Sequence, residues 1–111
     1  MNELKILQKA FDMTKYGYSC LRLFPKSEKH TLAAEMKTCM LRFMRGIITA
    51  NKRYHKKTTL QDVDIELQVL RMYLRLSVDQ QFLPFRKYEN WIKMLDEIGR
   101  MLGGWIKSTN Q

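Results

Sequence analysis

Between Met36 and Gln61 the chain carries Lys37, Arg42, Arg45, Lys52, Arg53, Lys56 and Lys57, with His55 among them, and not one Asp or Glu. Guanidinium and ammonium groups at helical spacing are the chemistry that tracks a phosphate backbone, because each can neutralise a phosphate and release its counterion. On a helical wheel Arg42, Arg45, Lys52, Arg53 and Lys56 fall opposite an apolar face made by Leu32, Met36, Cys39, Phe43, Ile47 and Ala50. The bland alternative is a solvated face. A merely solubilising face, however, normally mixes the two signs. Arg42, Arg45, Lys52, Arg53, Lys56 and Lys57 are therefore the candidate nucleic-acid-binding residues. Over the whole chain 20 Lys and Arg against 11 Asp and Glu give a net charge of +9, which attracts polyanions and does so less as salt rises. The sign alone does not separate nucleic acid from an anionic membrane or an acidic protein.

Other chemistry is sparse. Tyr16, Tyr18 and Tyr54 are available to stack on bases, although Tyr18 sits on an apolar seam where packing is the better reading. No zinc-finger spacing, RNA-binding aromatic motif or heptad-linked basic region is present, so sequence-specific base reading is not expected. Asp62, Asp64 and Glu66 look at first like a metal site, but residues two apart on a helix point about 200° from each other and cannot converge. Asp64, Arg71 and Arg75 share one line at the edge of an apolar seam, suited to ion pairs within a helix or across a subunit contact. His30 and His55 stand alone, Glu-x-x-His is missing, and no Ser or Cys lies in a nucleophile motif. We expect no catalysis, metal or cofactor. Cys20 and Cys39 read as reduced thiols.

These groups need helices to hold them. The stretch FRKYENWIKMLDEIGRMLGGWIK spaces Tyr88, Trp91, Leu95, Ile98, Leu102 and Trp105 by threes and fours, with Ile92, Gly99 and Ile106 in a second row beside them. So wide an apolar face requires several partner helices. Gly99, Gly103 and Gly104 either admit a close neighbour or end the helix near Gly103, and the seam reaching Trp105 favours the former. Ser108 to Gln111 are expected to fray.

Upstream, Leu4, Leu7, Phe11, Tyr18 and Leu21 form a first seam, weakened at Gly17 and ended by Phe24-Pro25. Ser27 is placed to cap a second helix, with Glu28 in its first turn. Thr59 and Asp62 resemble a capping box for a third, whose seam is Leu60, Val63, Leu67, Leu70, Leu74 and Val78. Phe82-Leu83-Pro84 stops that helix, and Pro84 can start the fourth. The expectation is one all-α domain over residues 1–111, an up-down-up-down four-helix bundle with helices at about 4–23, 28–54, 60–81 and 85–106. With neither a secretory signal nor an apolar run near the roughly 20 residues that cross a bilayer, a cytoplasmic protein is expected, with no membrane role.

Three segments, FPKSEKHTLA, LQDVDIELQVLRMYLRLS and YENWIKMLDEIGRMLGGWIKS, resemble the accessory variability determinant proteins of diversity-generating retroelements, relatives of the four-helix-bundle proteins encoded by intervening sequences in 23S ribosomal RNA genes. The likeness runs from about Phe24 to Ser108. It is most specific from Asp64 to Arg75 and from Glu97 to Trp105. ITANKRYHKK stands where the ribosomal branch carries an asparagine–alanine–glutamate–glycine-like run, which favours the retroelement branch. The resemblance implies a homopentameric ring of bundles that binds RNA and DNA through a basic surface. It also implies association with a reverse transcriptase that copies a template RNA with errors. Two alternatives stay open: a nucleic-acid-binding bundle of the ribosomal type without a polymerase partner, and a purely structural oligomer.

Overall fold

A computed structural model describes residues 3–109. Four helices, α1 (Glu3–Leu21), α2 (Leu32–Lys52), α3 (Lys57–Asp79) and α4 (Phe85–Ser108), are joined through residues 22–31, 53–56 and 80–84, and no strand occurs among the described residues. Consecutive helices pack side by side and α4 closes on α1, while among the described residues the backbones of the diagonal pairs stay apart. Short connections force consecutive helices to run antiparallel, so the result is a square four-helix bundle of 45 × 24 × 19 Å.

The core follows the α4 seam. Trp91, Leu95, Ile98, Leu102 and Trp105 are buried, with Tyr88, Ile92 and Ile106 packed against them in part. Each large side chain so buried contributes about 1.5–3 kcal/mol. The helix continues through all three glycines to Ser108, so the fraying expected there is not found; residues 110 and 111 lie outside the described residues. Close approach occurs at Gly99, where a Cβ would lie 3.2 Å from the Arg71 guanidinium, and not at Gly103, which has no atom within 4 Å.

α1 turns the other way from expectation. Its buried row is Ile6, Ala10, Met13, Gly17, Cys20 and Leu21, whereas Leu4 and Phe11 stay 73% and 51% exposed. The reason is size. A Cβ on Gly17 would meet Met40 Sδ at 2.5 Å and a Trp91 ring carbon at 2.6 Å, so this glycine, in a row that also buries Ile6, Met13 and Leu21, lets α1 close on α2 and α4.

Two expected N-caps are not formed, and lysines instead satisfy carbonyls at the C-terminal ends of the preceding helices. Ser27 does not cap α2; it lies in a 3-10 turn, Lys26–Glu28, and its hydroxyl faces Glu28 at 3.4 Å. From that turn Lys29 Nζ donates to the carbonyls of Leu21 and Arg22, ending α1 before Phe24 and delaying α2 to Leu32. Likewise α2 stops at Lys52, because Lys56 Nζ donates to the carbonyls of Ala50, Asn51 and Arg53. Cations are favoured at helix C-termini, where carbonyls lack partners. Thr59 is not a cap either: it is buried inside α3, which starts earlier, at Lys57, and accepts a bond from Arg53. α3 ends at Asp79 with Gln81 at φ 64° and the Phe82 N–H on the Ser77 carbonyl, a reversal that seats Phe82 against Phe24. Pro84 then starts α4, its carbonyl accepting from Lys87 and Tyr88.

Candidate nucleic-acid interface

The six candidate cations divide into two groups. Arg42, Arg45 and Lys52 ride the outer face of α2, all exposed. Arg53 and Lys56 lie in the turn after α2, and Lys57 opens α3, so the five-residue stripe expected on one helix is broken. Its last two members are also engaged. Arg53 Nη1 donates to Thr59 Oγ1 at 2.9 Å, and Lys56 spends its ammonium on three carbonyls, the closest at 2.5 Å. Lys56 cannot reach a phosphate without releasing the end of α2.

The missing acids also return in space. A groove of about 250 Å³ between α2 and α3 is lined by Arg42, Arg45, Gly46, Thr49 and Arg53 on one side and by Thr59, Asp62, Val63 and Glu66 on the other. Chain order separated the signs; folding brings them back together. Gly46 makes this groove narrow, since a Cβ there would run into Val63. Glu66 acts on Cys39 as well: burial first, then this carboxylate, pushes the thiol up to about 11. Burial also raises Cys20. Both thiols are free, buried and protonated near neutral pH, unsuited to nucleophilic work.

The end of the bundle where α2 passes into α3 is different. Tyr54, His55, Lys56 and Lys57 line a cavity of about 330 Å³ with Thr109 from the end of α4, and no acid joins them. Tyr54 is 91% exposed, and its ring stands perpendicular to that of His55 at 4.8 Å between ring centres. Tyr16, by contrast, stands edge-on to Trp91 and accepts a bond from Asn90, and Tyr18 lies under Lys37 Nζ at 5.1 Å.

On α3, Arg71 leaves its own helix and pairs with Asp96 of α4 at 2.8 Å, while Asp64 takes a long contact from Gln68. The line of Asp64, Arg71 and Arg75 therefore forms no ladder within α3; its middle member ties two helices. Asp62, Asp64 and Glu66 do not converge, and no metal-holding cluster of acids, His or Cys exists among the described residues. No described helix is long and apolar enough to cross a membrane.

A family model described as bAvd-like matches residues 4–109. The chain belongs to the bAvd-like family. Its relatives are the accessory variability determinants of diversity-generating retroelements, the family its helix 3 and helix 4 segments resemble. No curated protein matches it. In this bAvd-like chain the residues missed from sequence are Lys29 and Lys56 as caps and Thr59 as an arginine's acceptor. The only signal for the lysines was their place in the loop after a helix, where a cation can reach the last carbonyls.

Proposed function

We propose that this bAvd-like protein is a non-catalytic, nucleic-acid-binding accessory protein of a diversity-generating retroelement, which binds the reverse transcriptase and its template RNA and cDNA in support of mutagenic retrohoming. The observation that carries this reading, beside the family, is the exposed cationic surface of Arg45, Lys52 and Lys57 running from α2 onto the start of α3. Phosphate contacts need no pocket, only a row of cations with room for the backbone. Arg42, Arg45 and Arg53 share their groove with Asp62 and Glu66, whose carboxylates repel phosphate, so Lys52 and Lys57, outside that groove, contribute most.

A homopentameric ring in the cytoplasm completes the proposal. Two unpartnered apolar faces support self-association. One is the groove of about 410 Å³ between α1 and α2, where Phe11, Tyr18, Leu41 and Met44 meet under Lys15 and Arg22. The other is the outward stripe of α3, Ile65, Val69, Met72 and Leu76, at spacings of four, three and four, near Asp62, Glu66 and Asp79. Two unlike apolar faces on one chain, the second carrying Arg75 as well as Asp79, favour head-to-tail contacts, which close into rings.

The test is Arg45→Glu with Lys52→Glu and Lys57→Glu, sparing the capping Lys56. RNA affinity by fluorescence anisotropy should fall at least about tenfold, and the slope of log affinity against log salt should lose roughly three units. Unchanged binding, with unchanged helicity, overturns the nucleic-acid role and leaves the purely structural oligomer. Affinity purification from the host separates the remaining pair: a recovered reverse transcriptase supports the retroelement reading, and nucleic acid alone supports the ribosomal type.

A further inference from the structure

Of the three tyrosines that could meet a base, two are occupied. Tyr16 is wedged against Trp91, and Tyr18 is covered by Lys37. Tyr54 alone presents its ring to solvent, on a turn that the fold takes trouble to hold still. Lys56 clamps the turn to the last carbonyls of α2, and Arg53 is anchored to Thr59 inside α3. A large apolar ring held out in water on a pinned turn loses free energy that packing elsewhere would have gained. Such a ring is already organised for a flat partner, since little chain freedom is lost when one arrives.

We propose that Tyr54 is a stacking platform for an unpaired base, which makes single-stranded nucleic acid, or the unpaired loop of a folded RNA, the preferred ligand of this end of the bundle. The site rests on the nucleic-acid reading above and adds the class of strand. Its chemistry is that of single-strand binders: an aromatic face beside cations that follow the backbone. His55 stands perpendicular to the ring, a cavity of about 330 Å³ opens beside them, and Lys57 on its lining is free for an adjoining phosphate. A duplex hides its base faces in the stack, so Tyr54 has nothing to grip there and the duplex meets only the cations. The turn's acid-free lining matters equally, because the α2–α3 groove, with Asp62 and Glu66, cannot offer a backbone the same welcome.

The experiment compares one labelled RNA of roughly 12 nucleotides, single-stranded and as a perfect duplex, against the full chain and the variants Tyr54→Ala and Tyr54→Trp. Tyr54→Ala should weaken single-strand binding about 5- to 100-fold and leave duplex affinity within about twofold. Tyr54→Trp should retain single-strand affinity. A 2-aminopurine in the strand should be quenched by the native protein and not by Tyr54→Ala. Equal affinity of Tyr54→Ala and native protein for the single strand overturns the platform while the basic surface stands. Equal losses on both forms of RNA overturn it too, since that is not stacking. If the native protein binds neither form, the nucleic-acid reading itself has failed.

Discussion

α1 and α4 are adjacent helices written with the same spacing, and they use it in opposite ways. Both place large apolar residues three and four apart: Leu4, Leu7, Phe11 and Tyr18 on α1; Tyr88, Trp91, Leu95, Ile98, Leu102 and Trp105 on α4. On α4 that row is the core. On α1 Leu4 and Phe11 are exposed, Leu7 and Tyr18 only half-buried and Leu21 alone buried, while a second row, Ile6, Ala10, Met13, Gly17 and Cys20, goes inside. The two choices are coupled, since Trp91 occupies the space that Gly17 leaves. Heptad spacing thus marks a face that needs covering. It does not say whether the cover comes from the same chain.

The comparison breaks most visibly at Trp91. Trp91→Ala should lower stability by about 3–5 kcal/mol, read from the urea midpoint, because it opens a cavity in a fully buried site. Phe11→Ser should change the stability of dilute monomer by no more than about 0.5 kcal/mol, yet reduce the mass seen by sedimentation at high concentration. A Phe11 cost rivalling that of Trp91 would erase the distinction between the two seams.

Next in size is Gly17→Ala. Alanine favours a helix by about 1 kcal/mol, but here the new methyl collides with Met40 and Trp91, and overpacking of this kind costs about 1–3 kcal/mol. A net loss is expected in thermal unfolding. Gly103→Ala is the control: with no atom within 4 Å, the same change should stabilise by up to about 1 kcal/mol.

The smallest effect lies between the two helices, at the exposed pair of Lys9 and Glu97, 2.9 Å apart. Hydrogen bonding and charge from Lys9 hold the Glu97 carboxyl below its ordinary value. A depressed carboxylate stabilises above its unfolded-state value, and the contribution disappears as pH falls through the folded one. Glu97→Gln should therefore lower the melting temperature slightly at pH 7 and not at all once the native carboxylate is protonated, with the difference fading in high salt.

What the sequence made legible follows from side-chain size. The α4 seam and the α2 face were readable because bulky residues, Trp91 and Trp105 on one and Met36, Phe43 and Ile47 on the other, mark the buried side. α1 was misread because Ala10, Gly17 and Cys20 carry less hydrophobic weight than Leu4 and Phe11, although they mark where helices meet. Helix ends were misread for another reason. Ser27 and Thr59 have capping chemistry, but Lys29 and Lys56 reach back from the loops to satisfy carbonyls, a bond that spacing alone does not announce. The candidate interface was legible as charge and not as arrangement. Nothing in the run from Met36 to Gln61 says that Asp62 and Glu66 will line the same groove as Arg42 and Arg45. The unoccupied state of Tyr54 became visible only when Tyr16 and Tyr18 were found engaged.

The two buried thiols give the molecule a clock. Cys20 on α1 and Cys39 on α2 are inaccessible and protonated in the closed bundle. An alkylating reagent can therefore reach either only in the moments when its helix swings open. Because the two sit on neighbouring helices, their separate labelling rates measure whether α1 peels away alone, exposing Cys20 first, or whether the bundle opens as one unit and both are lost together.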